Sequence, residues 1–156
     1  KLGRSGTANV PAVIGIGVAC EIAEKEMQSD WDRISLLSRT FWDKLKNDFP
    51  AAKLNGPLKQ RSVYNLNISF PGLEAFGLLP KIQGLCVSGG SACSSDSLQA
   101  NPVLLALGHS PDDLSVTLRL SLGRMTTQDD MDEAYRILHK ALKSLGFCGV
   151  HSGPSL

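Results

Sequence analysis

In two places the side chains of this chain alternate with a period of two, and on either side of them the apolar spacing changes to three and four. Tyr64, Leu66, Ile68 and Phe70 alternate with Val63, Asn65, Asn67 and Ser69, and Val116, Leu118 and Leu120 alternate with Thr117, Arg119 and Ser121. A period of two is that of a strand with one buried face. Upstream, Trp31, Ile34, Leu37, Phe41 and Leu45 form a stripe at helical spacing, and downstream Met131, Ala134, Leu138, Ala141 and Leu145 form another. A chain that mixes these periods buries its stripes by packing helices on a sheet. The expected class is α/β, with a mostly antiparallel sheet packed against helices.

Local signals mark where the elements start and stop. Pro11 suits the first turn of a helix, and the helical pattern runs on to Asn47. Ser29 and Asp32 resemble a capping pair, which leaves open two helices or one long bent one. Pro71-Gly72 stops the first strand, and a short helix from Leu73 is expected to end near Leu79, ahead of Pro80. Leu85-Cys86-Val87 predicts a short strand, and Val103 to Leu107 a short helix closed by Gly108. Thr127 caps the last helix, with Asp129, Asp130 and Asp132 complementing its dipole, and Gly146 ends it. From Phe147 to Leu156 there is no period, so a loose tail is expected. The expected order is α-α-β-α-β-α-β-α.

Composition narrows the class of function. The 156 residues are 42% hydrophobic and 20% charged with a net charge of +1, so no basic surface for nucleic acid is expected. The apolar stretch from Val10 to Cys20 is too short to span a bilayer, and the polar residues Lys1 to Asn9 do not read as a signal peptide. Four scattered cysteines without a secretory signal predict free thiols in the cytoplasm or an organelle matrix. Cys20 and Cys86 are expected to be inert core residues. Cys148 and His151 have a metal-like spacing but no second ligand pair nearby, so no metal site is expected.

The stretch Ser88-Gly89-Gly90-Ser91-Ala92-Cys93-Ser94-Ser95-Asp96-Ser97 contains only two apolar residues, Ala92 and Cys93. A segment of this composition predicts a mobile surface loop, whereas free cysteine is usually buried. From this stretch alone, an incidental loop thiol and a nucleophile both stay open. A phosphate cradle is weak, because the Gly-Lys-Ser/Thr ending is missing. A nucleophile requires a thiolate, and hence a lowered pKa or a nearby base. His109, sixteen residues after Cys93, is a candidate for that base, although a lone histidine directly after Gly108 reads more readily as a turn residue.

Three motifs occurring in order add a resemblance. Arg4-Ser5-Gly6-Thr7 with Asn9-Val10-Pro11, then Ser88 to Ser95, then Leu118-Arg119-Leu120-Ser121-Leu122-Gly123-Arg124 resemble three segments of NifS/IscS-like cysteine desulfurases. The separation of 86 residues between Thr7 and Cys93 is close to that of the family. The resemblance implies the small C-terminal domain of a fold-type-I pyridoxal phosphate enzyme, a homodimer that converts L-cysteine to L-alanine. By the same resemblance Cys93 takes the sulfur as a persulfide and Arg119 holds the substrate carboxylate. Thr7 reaches the cofactor phosphate of the neighbouring subunit, ahead of a helix start that favours anions. A sulfur-acceptor protein, such as an iron–sulfur scaffold, is the implied partner.

In the family, the Schiff-base lysine and the other residues that hold the pyridoxal ring lie N-terminal to the Arg-Ser-Gly-Thr segment. Residues 1–28 are therefore expected to close a large cofactor-binding domain, 29–145 to form the small domain, and 146–156 the tail. Taken alone, the chain is not expected to hold the cofactor covalently or to turn over cysteine. Two other activities stay open at this stage: a selenocysteine lyase and a non-catalytic sulfur-relay module.

Overall fold

A computed structural model describes residues 6–73, 78–89, 102–109 and 117–147. The elements are helix α1 (Val10–Asp48), strands β1 (Lys53–Leu54), β2 (Asn65–Ser69) and β3 (Ser88–Gly89), helix α2 (Pro102–Ala106), strand β4 (Thr117–Ser121) and helix α3 (Gln128–Ser144). Among the described residues four strands form one antiparallel sheet in the order β1-β2-β4-β3. The chain divides into two compact units, Lys1–Arg33 and Ile34–Leu156.

The second unit carries the core. Leu66, Ile68, Leu118 and Leu120 alternate onto one face of β2 and β4, and all four are buried. Against them pack Ile34, Leu37, Phe41 and Leu45 of α1, together with Met131, Ala134, Leu138 and Leu142 of α3. Both helical stripes and the described part of both alternations converge on one cluster, while Val116 lies outside the described residues. Trp31 is the exception: it belongs to the first unit and is 40% exposed. In that unit no residue of α1 is buried, and Val13, Ile14 and Ile16 are exposed.

α1 is a single helix. The Ser29 hydroxyl donates back to the Glu26 carbonyl within it, and the Asp32 carboxylate accepts from Gln28 one turn earlier. Serine and aspartate can satisfy themselves in this way without starting a new helix. The cap on α3 is as expected. Thr127 accepts from the Asp130 N–H, and the Asp130 carboxylate accepts from the Thr127 N–H at 2.9 Å. At its other end Gly146 has φ +70, a conformation glycine adopts freely, and the Phe147 N–H returns to the Leu142 carbonyl. Phe147 is buried, with its ring 6.0 Å from Phe49 and 5.6 Å from Phe70. The ordered core therefore extends into the stretch expected to be loose, while residues 148–156 lie outside the described set.

Several expectations are corrected. Leu85-Cys86-Val87 is not a strand, because the Leu85 N–H bonds back to Ile82 in a turn. The ladder with β4 begins one residue later, at Ser88. Leu78 is helical and the helix goes no further, as expected ahead of Pro80, which itself lies in a 3-10 turn over Leu79–Lys81, where its missing N–H is not needed. Residues 74–77, on which the rest of that expected helix falls, lie outside the described set. β1, two residues long, had no periodic signal. Cys20 and Cys86 are exposed and not in the core.

One contact between α1 and α3 depends on pH. The Tyr135 hydroxyl donates to the Asp48 carboxylate, and His139 Nε2 lies 3.5 Å from the same oxygen. The hydrogen bond from Tyr135 holds the Asp48 carboxyl below its ordinary 3.8, and burial together with Asp48 pushes the Tyr135 hydroxyl well above its ordinary 10.0. A carboxyl with a lowered pKa contributes stability above its unfolded value and loses it as pH falls through the folded one. A phenol with a raised pKa contributes below its unfolded value and loses that contribution as pH rises through the folded one. In Tyr135→Phe, carboxyl NMR should show Asp48 titrating closer to 3.8; an unchanged Asp48 titration would contradict this account.

Candidate functional site

Arg119 occupies the middle of β4. In the register it faces Asn67 of β2 on one side and Ser88 of β3 on the other. Because Leu118 and Leu120 turn into the core, Arg119 is carried on the opposite face, where it is exposed. It makes no ion pair or side-chain hydrogen bond with any described residue. A guanidinium left open presents a planar fork that suits a carboxylate.

The polar face of the sheet is more ordered than an ordinary solvated face. Ser69 and Thr117 are buried there, with hydroxyl oxygens 3.2 Å apart. Asn55, which follows β1, is also buried, and its amide Nδ2 donates to Asn67 Oδ1 at 2.5 Å and to Ser69 Oγ at 2.8 Å. Asn55 Oδ1 accepts from the Ser69 hydroxyl at 3.0 Å. Each buried polar group in this set thus has a partner, as burial requires.

Arg61 closes one side. Its guanidinium donates to the Asn55 carbonyl at 3.2 Å and to the Asn65 carbonyl at 3.0 Å, tying the β1–β2 connection to β2. Its Nε is buried with no partner among the described residues, and burial lowers the pKa of the group below its ordinary value. Between this face and α2 lies a cavity of about 360 Å³, lined by Arg61, Asn65, Asn67, Arg119, Leu104 and Leu107. That volume falls in the range of small-molecule sites, about 300–1,000 Å³. Two cations, two neutral amides and an apolar wall suit a small molecule bearing a carboxylate.

Thr7 is exposed two residues ahead of Asn9, in the first unit. The amides that open α1 are already engaged: the Ala12 N–H by Asn9 Oδ1 at 3.2 Å, and the Val13 N–H by the Asn9 carbonyl. Pro11 has no N–H to offer. The Thr7 hydroxyl and the positive end of the helix dipole therefore suit an anion, whereas the helix's own first amides do not. None of the described lysines lines the cavity beside Arg119. His109 is half-buried in the turn after α2, its N–H bonded to the Leu104 carbonyl, as a turn residue should be. Cys93 lies outside the described residues, as do Arg4 and Cys148. Among the described residues no cluster of histidine, cysteine, aspartate or glutamate could hold a metal ion. No helix among them is long and apolar enough to cross a membrane.

Sequence reasoning singled out Arg119 and missed Asn55, Asn67 and Arg61. The two asparagines read as polar members of a strand and a turn. Nothing in the polar connection around Arg61 distinguishes it from a solvated arginine.

Residues 2–133 match the profile of the class-V aminotransferases. The chain belongs to the class-V aminotransferase family. As a member it is 39% identical over 142 residues to the protein named cysteine desulfurase IscS of Aeromonas hydrophila subsp. hydrophila, and 36% identical over 142 residues to that of Rickettsia typhi. Both matches cover 91% of this chain and 35% of the relative, so the chain spans about a third of the length of these curated relatives. Among solved structures, a NifS-like protein from Rickettsia africae ESF-5 superposes with a TM-score of 0.73 at 24% identity, over 90% of this chain and 36% of that one. A second NifS-like protein superposes with a TM-score of 0.72 at 27% identity, over 92% and 36%. The small α/β domain with an antiparallel sheet is thus the fold of a NifS-like protein.

Proposed function

We propose that this chain supplies the sulfur-accepting and carboxylate-binding part of a pyridoxal phosphate-dependent cysteine desulfurase. The observation that carries the reading is the open guanidinium of Arg119, which lines a cavity with room for an amino acid in a chain that resembles the IscS cysteine desulfurases over 91% of its length. Residues 1–28 would close the large domain, 29–145 form the small domain, and 146–156 form a tail.

In this reading Arg119 takes the carboxylate of L-cysteine on its two-pronged face and so fixes the direction in which the substrate sulfur points. Pyridoxal phosphate, when bound, supplies the electron sink that labilises that sulfur. The Cys93 thiolate attacks the substrate sulfur; a sulfur–sulfur bond forms as the carbon–sulfur bond breaks, and the electron pair of that bond stays with the three-carbon fragment, which takes up a proton at that carbon to become L-alanine. Connectivity supports the pairing of roles. Ser88 and Gly89 are held against Arg119 and Leu118, and Cys93 follows Gly89 by four residues, a length of chain that spans at most about 14 Å. Thr7 would hold the phosphate across a homodimer interface, and a sulfur acceptor such as an iron–sulfur scaffold would take the persulfide, in the cytoplasm or an organelle matrix.

The test is Arg119→Lys in the full-length enzyme. Lysine keeps the charge and loses the fork, so KM for L-cysteine should rise about tenfold to a hundredfold. A KM within about threefold of the unmodified enzyme would remove Arg119 from the site.

A further inference from the structure

Next to Arg119 the sheet presents a second hydrogen-bond donor whose orientation is fixed from behind. Asn67 is the direct cross-strand partner of Arg119, and the two line the same cavity. Directly paired residues on one face have Cβ atoms about 4.5–5.5 Å apart, so one ligand group can touch both. The Asn67 amide cannot turn freely. Its Oδ1 is taken by Asn55 Nδ2, and the Asn55 amide is itself held at both ends by the Ser69 hydroxyl, donating to it from Nδ2 and accepting from it at Oδ1. Asn55 is 4% exposed and Ser69 1% exposed, so water does not compete for these bonds. With Oδ1 tied back, the Nδ2 of Asn67, on the other branch of the amide, keeps two hydrogens with no acceptor among the described residues.

A carboxylate has about four lone-pair directions, and a bidentate guanidinium uses two of them. A neutral amide beside the guanidinium can fill a third without adding charge. Only the donor end of Asn67 faces this task, since its acceptor end is occupied.

We infer that Asn67 is a second donor to the substrate carboxylate, and that Asn55 is a positioning residue which holds the Asn67 amide in the donating orientation. The inference rests on the reading of Arg119 as the carboxylate site. It makes the β2–β4 pair a two-residue carboxylate clamp, and it gives the buried Asn55–Ser69–Thr117 set a task beyond satisfying the sheet.

Asn67→Asp in the full-length holoenzyme tests it. Aspartate keeps the shape of the side chain and an oxygen for Asn55, and replaces the donating nitrogen by a negative oxygen. KM for L-cysteine should rise at least about fivefold, more than kcat changes, with the melting temperature preserved. The calorimetric Kd of 3-mercaptopropionate, which has the carboxylate and thiol but no amine, should weaken by a similar factor. Asn67→Ala should weaken both in the same direction, and Asn55→Ala should do so by a smaller factor. KM and Kd changes below about fivefold in both Asn67 variants, alongside a raised KM in Arg119→Lys, would overturn the inference and leave the proposed function standing. If Arg119→Lys and both Asn67 variants all left KM and Kd unmoved, the two readings would fall together.

Discussion

With Cys93 replaced by serine, the full-length enzyme is expected to lose release of sulfur from L-cysteine by a factor of at least about a thousand. Serine matches cysteine in size but is not ionised near neutral pH, and oxygen does not accept a sulfur as a thiolate does. The loss should fall on kcat, with KM changed little, because Arg119 and not the thiol holds the carboxylate in this account. Cys20 and Cys86 are exposed and give the natural controls. Replacing either by serine should leave sulfur release unchanged. Sulfur release that persisted in Cys93→Ser and vanished in Cys86→Ser would move the acceptor to Cys86.

A second large effect is expected on stability. Leu138 is completely buried where α3 meets the sheet, and α1 closes over the same cluster. Leu138→Ala should cost about 2–5 kcal/mol, the loss of transfer energy plus the cavity left behind. A domain of ordinary stability has only about 5–15 kcal/mol in total, so this one change is expected to bring the chain close to unfolding at physiological temperature. Leu36, one helical position away from the core stripe, is 67% exposed, and Leu36→Ala should change stability by no more than about 0.5 kcal/mol. Urea unfolding of the three proteins decides the matter. Equal midpoints for the two alanine variants would mean that the stripe reading of α1 and α3 is wrong.

What the amino-acid pattern could express follows from how each feature is encoded. The two stripes apart from Trp31, the described part of the two alternations and the Thr127 cap are local patterns, and they appear where the sequence placed them. β1 is two residues long and β3 begins in a Ser/Gly stretch, so neither leaves a period to detect; both exist because a neighbouring strand offers them a ladder. Cys20 and Cys86 misled because cysteine is apolar in composition while its burial is decided by tertiary position. At the site, Arg119 was legible through the third motif of the resemblance, since on the alternation alone it reads as a surface arginine of a strand's polar face. Asn67 was not, since its meaning depends on Asn55, twelve residues away in sequence and bonded to it only once β1 and β2 have paired.

The central claim is that Cys93 receives the sulfur. The measurement that tests it most directly is mass spectrometry, under non-reducing conditions, of the full-length enzyme after brief incubation with L-cysteine. The peptide containing Cys93 should gain about 32 Da, one sulfur atom, while peptides containing Cys20 and Cys86 gain nothing. L-alanine formed without any gain on the Cys93 peptide, or with the gain on another cysteine, would contradict the account.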